Sequence, residues 1–509
     1  MCPARDTAAL VRARSGGDLS VCQPRWPWLR VAISCVHAGR IAASPRTKMW
    51  RRLWSSCFPS RPPLLPLNKG SDEVNVRQLD GASTHLSGPL VDNLSRWDEP
   101  TYSASELKQA LASSILVDAG WLVELAARGG VLPRCQAVPE AAKVSLREME
   151  AWRDSLFPGQ KWVPEEGLTL GVLVISYPWL DAHHPDAYGE QLRSIAPVLK
   201  IFADEARKHE GCRLGVFWDY CSLPQKNTDG SDDRTEEERA RFKRALGSIN
   251  AWYGHRLTHV LLVNTELPTG HSYTNTQPYD RRGWCYAEMC MSAMIKDDWC
   301  LISMKDLTGG ETDLGALRMN GKARRLPPMA PDSFHKCLSA GVKDGSIKFT
   351  YNGDADLVAN IYTDAFVFAL GRSRILTYSD LDWGDEQIQV LATALLYMHT
   401  HHSLKLEELN LNMNDISNIG VLALISAISD GALSKLKELN LNNNPIDAAG
   451  VHHLSSAIAS GGLPDLSHLY LYPVGAQAMR AGLEVHPLRT LSSAPAEPSM
   501  VIGAMPFSL

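Results

Sequence analysis

The chain has 509 residues, 45% of them apolar and 21% charged, with a formal net charge of −5, which describes a folded protein of roughly two to four domains and excludes a uniformly basic nucleic-acid binder. Its 11 cysteines are scattered without a CxxC pair or a Cys/His cluster, a pattern of reduced intracellular thiols that argues against a disulfide framework or a structural metal. No apolar run of about eighteen residues occurs, so no membrane span is expected.

Between Leu19 and Gly70 there is no Asp or Glu, while Arg25, Arg30, Arg40, Arg46, Lys48, Arg51, Arg52, Arg61 and Lys69 are basic. Residues 1–100 therefore read as a leader. It is either disordered, over-extended ahead of Met49, or a targeting segment for an organelle; without such targeting the expected compartment is the cytoplasm. From Ser103 to Arg128, SASELKQALASSILVDAGWLVELAAR has helical apolar spacing with Ser103 and Glu106 placed as a capping box, and GGVLPRC breaks it. Residues 101–160 are expected as a helical lead-in.

The period then changes. LTLGVLVIS (Leu168 to Ser176) is an apolar run of strand length, as expected for a strand buried on both faces of a parallel sheet. A helix follows, with Leu192, Ile195, Leu199, Phe202 and Ala206 on one face. RLGVFWD (Arg213 to Asp219) is the second strand, and the acidic start TEEER opens a helix whose stripe is Phe242, Ala245, Ile249 and Trp252. HVLLVN (His259 to Asn264), a helix from RRGWCYAEMC (Arg281 to Cys290) and WCLISM (Trp299 to Met304) complete the alternation. Residues 161–310 thus predict a doubly wound parallel sheet with right-handed crossovers.

In such sheets ligands bind beyond the carboxyl ends of the strands. Strand one ends in ISYPWLD, strand two in WDYCSLPQ, and strand three leads to YDRRGWCYAE, so Ser176, Tyr177, Trp179, Asp219, Tyr220, Trp284 and Glu288 are expected to gather at one rim. The segment RGWCYAEM resembles the start of the third helix in Toll/interleukin-1 receptor (TIR) domains. Together SYPW, WDYCSLPQ and RGWCYAE are similar to three segments of the fungal heterokaryon-incompatibility (HET) domain. The resemblance implies a flavodoxin-like α/β fold over about a quarter of the chain, from Leu168 to Met304. Because some TIR domains cleave NAD, it also implies Glu288 as the catalytic carboxylate, with Ser176, Tyr177, Trp179, Asp219, Tyr220 and Trp284 toward the substrate. NAD would be a substrate, and no cofactor is expected.

Nicotinamide leaves NAD as a neutral base, so one carboxylate that stabilises an oxocarbenium-like transition state suffices. Other readings of the same residues stay open. Glu288 is also a first-turn residue compensating a helix dipole, and Asp219 an Asx turn or cap. Cys221 or Cys285 is a nucleophile only if His183, His184 or His255 lies beside it, and no local signature supports that. His183 and His184 lack the spacing of a helical metal pair, and no metal site is expected.

After a connecting α/β segment, 311–375, the sequence repeats. LEELNLNMNDISNIGVLALISAI from Leu406 recurs as LKELNLNNNPIDAAGVHHLSSAI from Leu436, LSHLYLYPVG starts at Leu466, and a degenerate copy begins at Leu376. The unit resembles ribonuclease-inhibitor-type leucine-rich repeats, with an asparagine turn at Asn414 or Asn444 and a glycine at Gly420 or Gly450. Residues 376–488 predict a short α/β solenoid, in which Glu408, Asn410, Asn412, Glu438, Asn440, Asn442, His468, Tyr470 and Tyr472 point away from the core and form a protein-binding face. Residues 489–509, rich in Ser, Ala and Pro, read as a tail.

Two functions follow as expectations. Either the protein is an intracellular sensor or signalling protein whose α/β domain cleaves NAD when assembled, or that domain is a non-catalytic homotypic interaction scaffold. In both the repeats bind a protein, and neither involves nucleic acid.

Overall fold

The computed structural model describes residues 104–145, 147–149, 151–152, 169–351 and 353–471. The basic leader, Ser103 of the expected capping box, Tyr472 and the tail lie outside the described residues.

The lead-in is not one helix. Helix α1 (Ala104–Ser113) stops at a serine pair, strand β1 (Leu116–Asp118) follows, and helix α2 (Ala119–Ala127) restarts with Asp118 as its cap, accepting from Trp121 N at 2.7 Å. The break has a physical cause: Ile115 and Val117 are β-branched and favour extended backbone, and Leu116 and Val117 are fully buried there. β1 and β2 (Lys143–Val144) are antiparallel additions to a sheet whose parallel part is β3 (Val172–Ser176), β4 (Gly215–Phe217), β5 (His259–Leu262) and β6 (Leu301–Ser303). The strand order is β2-β1-β4-β3-β5-β6.

Alternate residues of these strands bury against opposite layers. Leu173, Ile175, Val216, Leu261 and Ile302 meet α2, α3 (Glu190–Arg207), which contributes the predicted stripe from Leu192 to Ala206, and Leu314 and Leu317 beyond β6. On the other layer Phe217 stacks on Trp252 at 5.3 Å. Beyond β4 lie a single helical turn, α4 (Asp219–Ser222), then α5 (Glu236–Gly247), capped by Thr235 and Glu238, and α6 (Ile249–Gly254). The long helix expected here is therefore split at Ser248. Ala245, Ile249 and Trp252 are buried as expected, whereas Phe242 is half-buried beneath the Arg234 guanidinium, 5.0 Å from its ring centre.

Helix α7 (Gly283–Ala293) follows β5 and is buried on nearly every side. The connecting segment is helical rather than α/β: α8 (Leu314–Asn320), whose Leu314 and Leu317 join the core, α9 (Pro331–Asp344) and α10 (Asp354–Arg372) are its elements, and its backbone adds isolated bridges, Lys322 to Ile302 on β6 and Lys348 to Arg282.

The second sheet is parallel throughout, β7 (Ile375–Thr377), β8 (Glu408–Asn410), β9 (Glu438–Asn440) and β10 (His468–Tyr470) in sequence order, with helices α11 (Asp385–His401), α12 (Asn418–Ser429) and α13 (Ala448–Ala459) between them. Leu409, Leu439 and Leu469 are in register thirty residues apart. The degenerate first unit differs: Leu376 pairs with Leu409. It therefore takes the place of Leu409, three residues along from the Leu406 position expected for it, because the first unit is three residues longer.

Asn414 and Asn444 tie neighbouring units together. Each is buried. Asn444 Nδ2 donates to the carbonyls of Leu411, Leu441 and Asn442 at 2.9–3.1 Å, while its Oδ1 accepts from Ile416 N at 3.1 Å. Asn414 does the same toward the first unit, donating to Tyr378 O and accepting from Leu381 N and Trp383 N. One carboxamide thus satisfies backbone groups of two turns at once. Gly420 and Gly450 mark close helix approaches: a Cβ on Gly450 would lie 2.3 Å from Asn418 Oδ1, and one on Gly420 2.7 Å from Asp385 Oδ1.

The first unit is joined to the α/β domain. Tyr378 OH donates to Met294 O at 2.6 Å, Trp383 Nε1 to Arg325 O at 2.9 Å, and Arg325 to Thr377 O at 2.9 Å. No helix of the described residues is long and apolar enough to cross a membrane.

Candidate functional site

The parallel strands bring most of the predicted rim together. Ser176 ends β3, and its Oγ donates to Glu288 Oε2 at 2.5 Å and shares a hydrogen with Tyr279 OH at 2.7 Å. The Tyr253 hydroxyl donates to Ile175 O at 3.2 Å and lies close enough to the Glu288 carboxyl to influence its titration. Glu288 is 7% exposed. It is therefore neither a solvated first-turn residue nor an open rim carboxylate. Burial pushes it up to about 8, against the Ser176 hydrogen bond and with the help of nearby Asp219, so the acid is mainly protonated at neutral pH.

A second cluster lies alongside. Tyr177 OH donates to Asp219 Oδ1 at 2.6 Å, Trp179 Nε1 to Asp219 Oδ2 at 2.9 Å, and Tyr220 N to Asp219 Oδ1 at 2.6 Å. Asp219 thus begins α4 half-buried, with both carboxyl oxygens hydrogen-bonded. Burial raises it, and these hydrogen bonds oppose the rise. Trp179 meets the Tyr220 ring edge-on at 5.8 Å and is half-buried. Tyr220 is buried, and its hydroxyl has no hydrogen-bond partner.

Trp284 stands apart from the predicted group. Its indole N–H donates to Asp354 Oδ2 at 2.8 Å, on α10, so it ties α7 to the following helices. Spacing of four residues put it on the face of Glu288, but in a helix buried on nearly every side that spacing does not select a common neighbour.

Tyr253, Tyr279 and Arg282 were not among the predicted residues. Arg282 is buried, and its guanidinium donates to the carbonyls of Gln277 at 2.8 Å, Asn275 at 2.9 Å and Trp179. Asn275 N reaches Leu180 O at 2.9 Å and Thr274 N reaches Asp181 Oδ1 at 2.8 Å. The long loop after β5 is thereby fastened across the end of β3, with Tyr279 over Ser176. The only signal in the sequence was the length of that loop and the arginine directly before Gly283.

The thiols are not poised for attack. Cys221 and Cys285 are buried, and burial pushes both well up, so they stay protonated. Cys285 Sγ donates to Tyr177 O at 3.4 Å. His184 is bonded to Leu132 O and Asp186 N, and His255 Nδ1 accepts from Leu257 N. Among the described residues no group of three His, Cys, Asp or Glu side chains is arranged to hold a metal.

On the second sheet, the predicted face lies in rows set by register. Ile375, Glu408, Glu438 and His468 form one row, and Thr377, Asn410, Asn440 and Tyr470 the next. Glu408, Asn410, Asn412, Glu438, Asn440, Asn442 and Tyr470 are half-buried and His468 exposed, while Leu409, Leu439 and Leu469 between them face the core. Tyr472 of the predicted face lies outside the described residues.

Comparison with known proteins bears on this second region. Residues 402–424 and 432–454 match the Leucine Rich repeat family model, and no TIR or HET domain is detected. No curated protein matches the chain. The C-terminal units are thus leucine-rich repeats, a class that generally binds proteins.

Proposed function

We propose that the protein is an interaction protein in signalling, whose leucine-rich repeats hold a protein partner on the face of Glu408, Asn410, Asn412, Glu438, Asn440, Asn442 and Tyr470, and whose α/β domain is a homotypic assembly module. One observation carries it: the strand face opposite the leucine core presents ordered rows of polar and aromatic side chains. Folding of the leucine core does not by itself call for them. The test compares wild type with a Glu438→Ala, Tyr470→Ala double variant as bait. A partner retained by the first and lost by the second, with unchanged thermal unfolding, supports the reading; equal retention by both overturns it.

A second reading gives the α/β domain cleavage of the nicotinamide–ribose bond. Counting only the parallel strands, their order is 2-1-3-4, that of flavodoxin-like sheets, and Ser176, Asp219 and Glu288 meet near the ends of β3 and β4. These support a TIR- or HET-like relationship. The chemistry needs an ionised, accessible Glu288, so Tyr279 has to move aside and the rate has to rise with pH through about 8. Concentrated protein incubated with NAD should then release nicotinamide, and Glu288→Gln should slow it by about a hundredfold. No release from assembled wild type, or equal release from the variant, leaves the homotypic module.

A further inference from the structure

The repeat face has a chemical polarity that narrows its partner. Glu408 and Glu438 are register partners on adjacent strands, and side-by-side like charges cost a sheet stability. Two residues on, Asn410 Oδ1 accepts from Asn412 N at 3.0 Å and Asn440 Oδ1 from Asn442 N at 3.1 Å. A backbone N–H needs an acceptor, so the carboxamide oxygen is fixed inward toward it and the NH₂ group is left for a ligand. Tyr470 lies in register with Asn440, and its phenol feels both Glu438 and Glu408.

Acceptors in one row beside amide donors in the next match an extended chain with cationic side chains. Its backbone carbonyls suit the amides, its ammonium or guanidinium groups suit the carboxylates, and an aliphatic stem lies well on a phenol ring. We infer that this face takes an extended lysine- or arginine-bearing segment of a partner protein, with its cations at Glu408 and Glu438 and its backbone on Asn410 and Asn440. The inference rests on the reading that the repeats bind a protein.

The test uses the full chain and two fluorescein-labelled peptides of about twelve residues, one alternating Lys and Thr, the other alternating Glu and Thr, followed by anisotropy at low salt. The lysine peptide should bind at least about tenfold more tightly than the glutamate peptide. Glu408→Gln with Glu438→Gln should remove that preference, and Glu438→Lys should reverse it. Asp430→Asn, at the end of α12 away from the strands, controls for the overall negative charge and should leave it intact. Equal binding of the two peptides, or a preference that the paired glutamine variant keeps, overturns the inference. A protein captured by wild type, lost by the Glu438→Ala, Tyr470→Ala chain and not displaced by the lysine peptide also overturns it, while leaving the protein-binding reading in place.

Discussion

Glu288 shows how a residue acquires its chemistry from its surroundings. Its folded carboxyl titrates near 8 and its unfolded one near the ordinary 4.5, so between those values the unfolded chain has lost a proton that the folded chain keeps. Stability therefore falls as pH rises from about 4.5 through 8. Glu288→Gln, neutral throughout, should flatten that decline. Chemical denaturation at pH 5 and pH 8.5 would show the variant gaining relative to wild type at the higher pH; parallel curves would mean Glu288 is already ionised in the fold. Met413 makes a second case. It holds φ 55°, as does Asn443 one unit later at 54°, a left-handed conformation that costs a Met side chain about 1 kcal/mol more than Asn. Its side chain is 52% exposed, so Met413→Asn sacrifices little packing and should raise stability by about that amount in urea titration.

At the level of elements, much was legible where one periodicity governed burial. The runs at β3, β4, β5 and β6, the α3 stripe and the thirty-residue repeat were all readable, because residues within a short window determine them. The split at Ser248, β1 between two helices, the helical character of the connecting segment and the three-residue offset of Leu376 were not. Those depend on what a segment meets in space: β1 is a strand because β4 lies beside it. The rim was partly legible. Sheet topology brought Ser176, Tyr177, Asp219 and Glu288 together as expected, but Trp284 went to Asp354, seventy residues along, and neither Tyr253 nor Tyr279 had a local signal tying it to Glu288. The asparagine turns, by contrast, were visible in the repeat, and the structure gives their energetic content. Asn444→Ala leaves buried carbonyls and an N–H unpaired and should cost about 3 kcal/mol. Gly450→Ala, where a methyl would press on Asn418 at 2.3 Å, should cost about 1–3 kcal/mol. Thermal melts of both variants would check this, and a neutral Asn444→Ala would mean that the ladder contributes shape alone.

On the scale of the described molecule, the two sheets share packing. Rings run from α7 to α11 through Tyr286, Phe334, Tyr362, Phe366 and Tyr397, with centres 3.6–6.3 Å apart. The full chain should therefore unfold in one calorimetric transition. A chain ending at Arg372 removes Tyr397 from that stack and takes Thr377 and Trp383 away from Arg325; it should give less soluble protein, melting at a lower temperature. Two transitions in the full chain, with the upper one unmoved by the deletion, would show the repeats to be energetically separate.

The junction itself has a mechanical consequence. Met294, whose carbonyl receives the Tyr378 hydroxyl, caps the helix that carries Glu288, and Arg325 grips both the last residue of that helix, at Ala293 O, and the first repeat strand, at Thr377 O. Only six residues, about 9 Å of helix axis, separate Met294 from Glu288. There is no slack tether in this path to absorb a pull. A load on the repeats would therefore enter at one end of the helix whose other half is held by the Glu288 contact with Ser176.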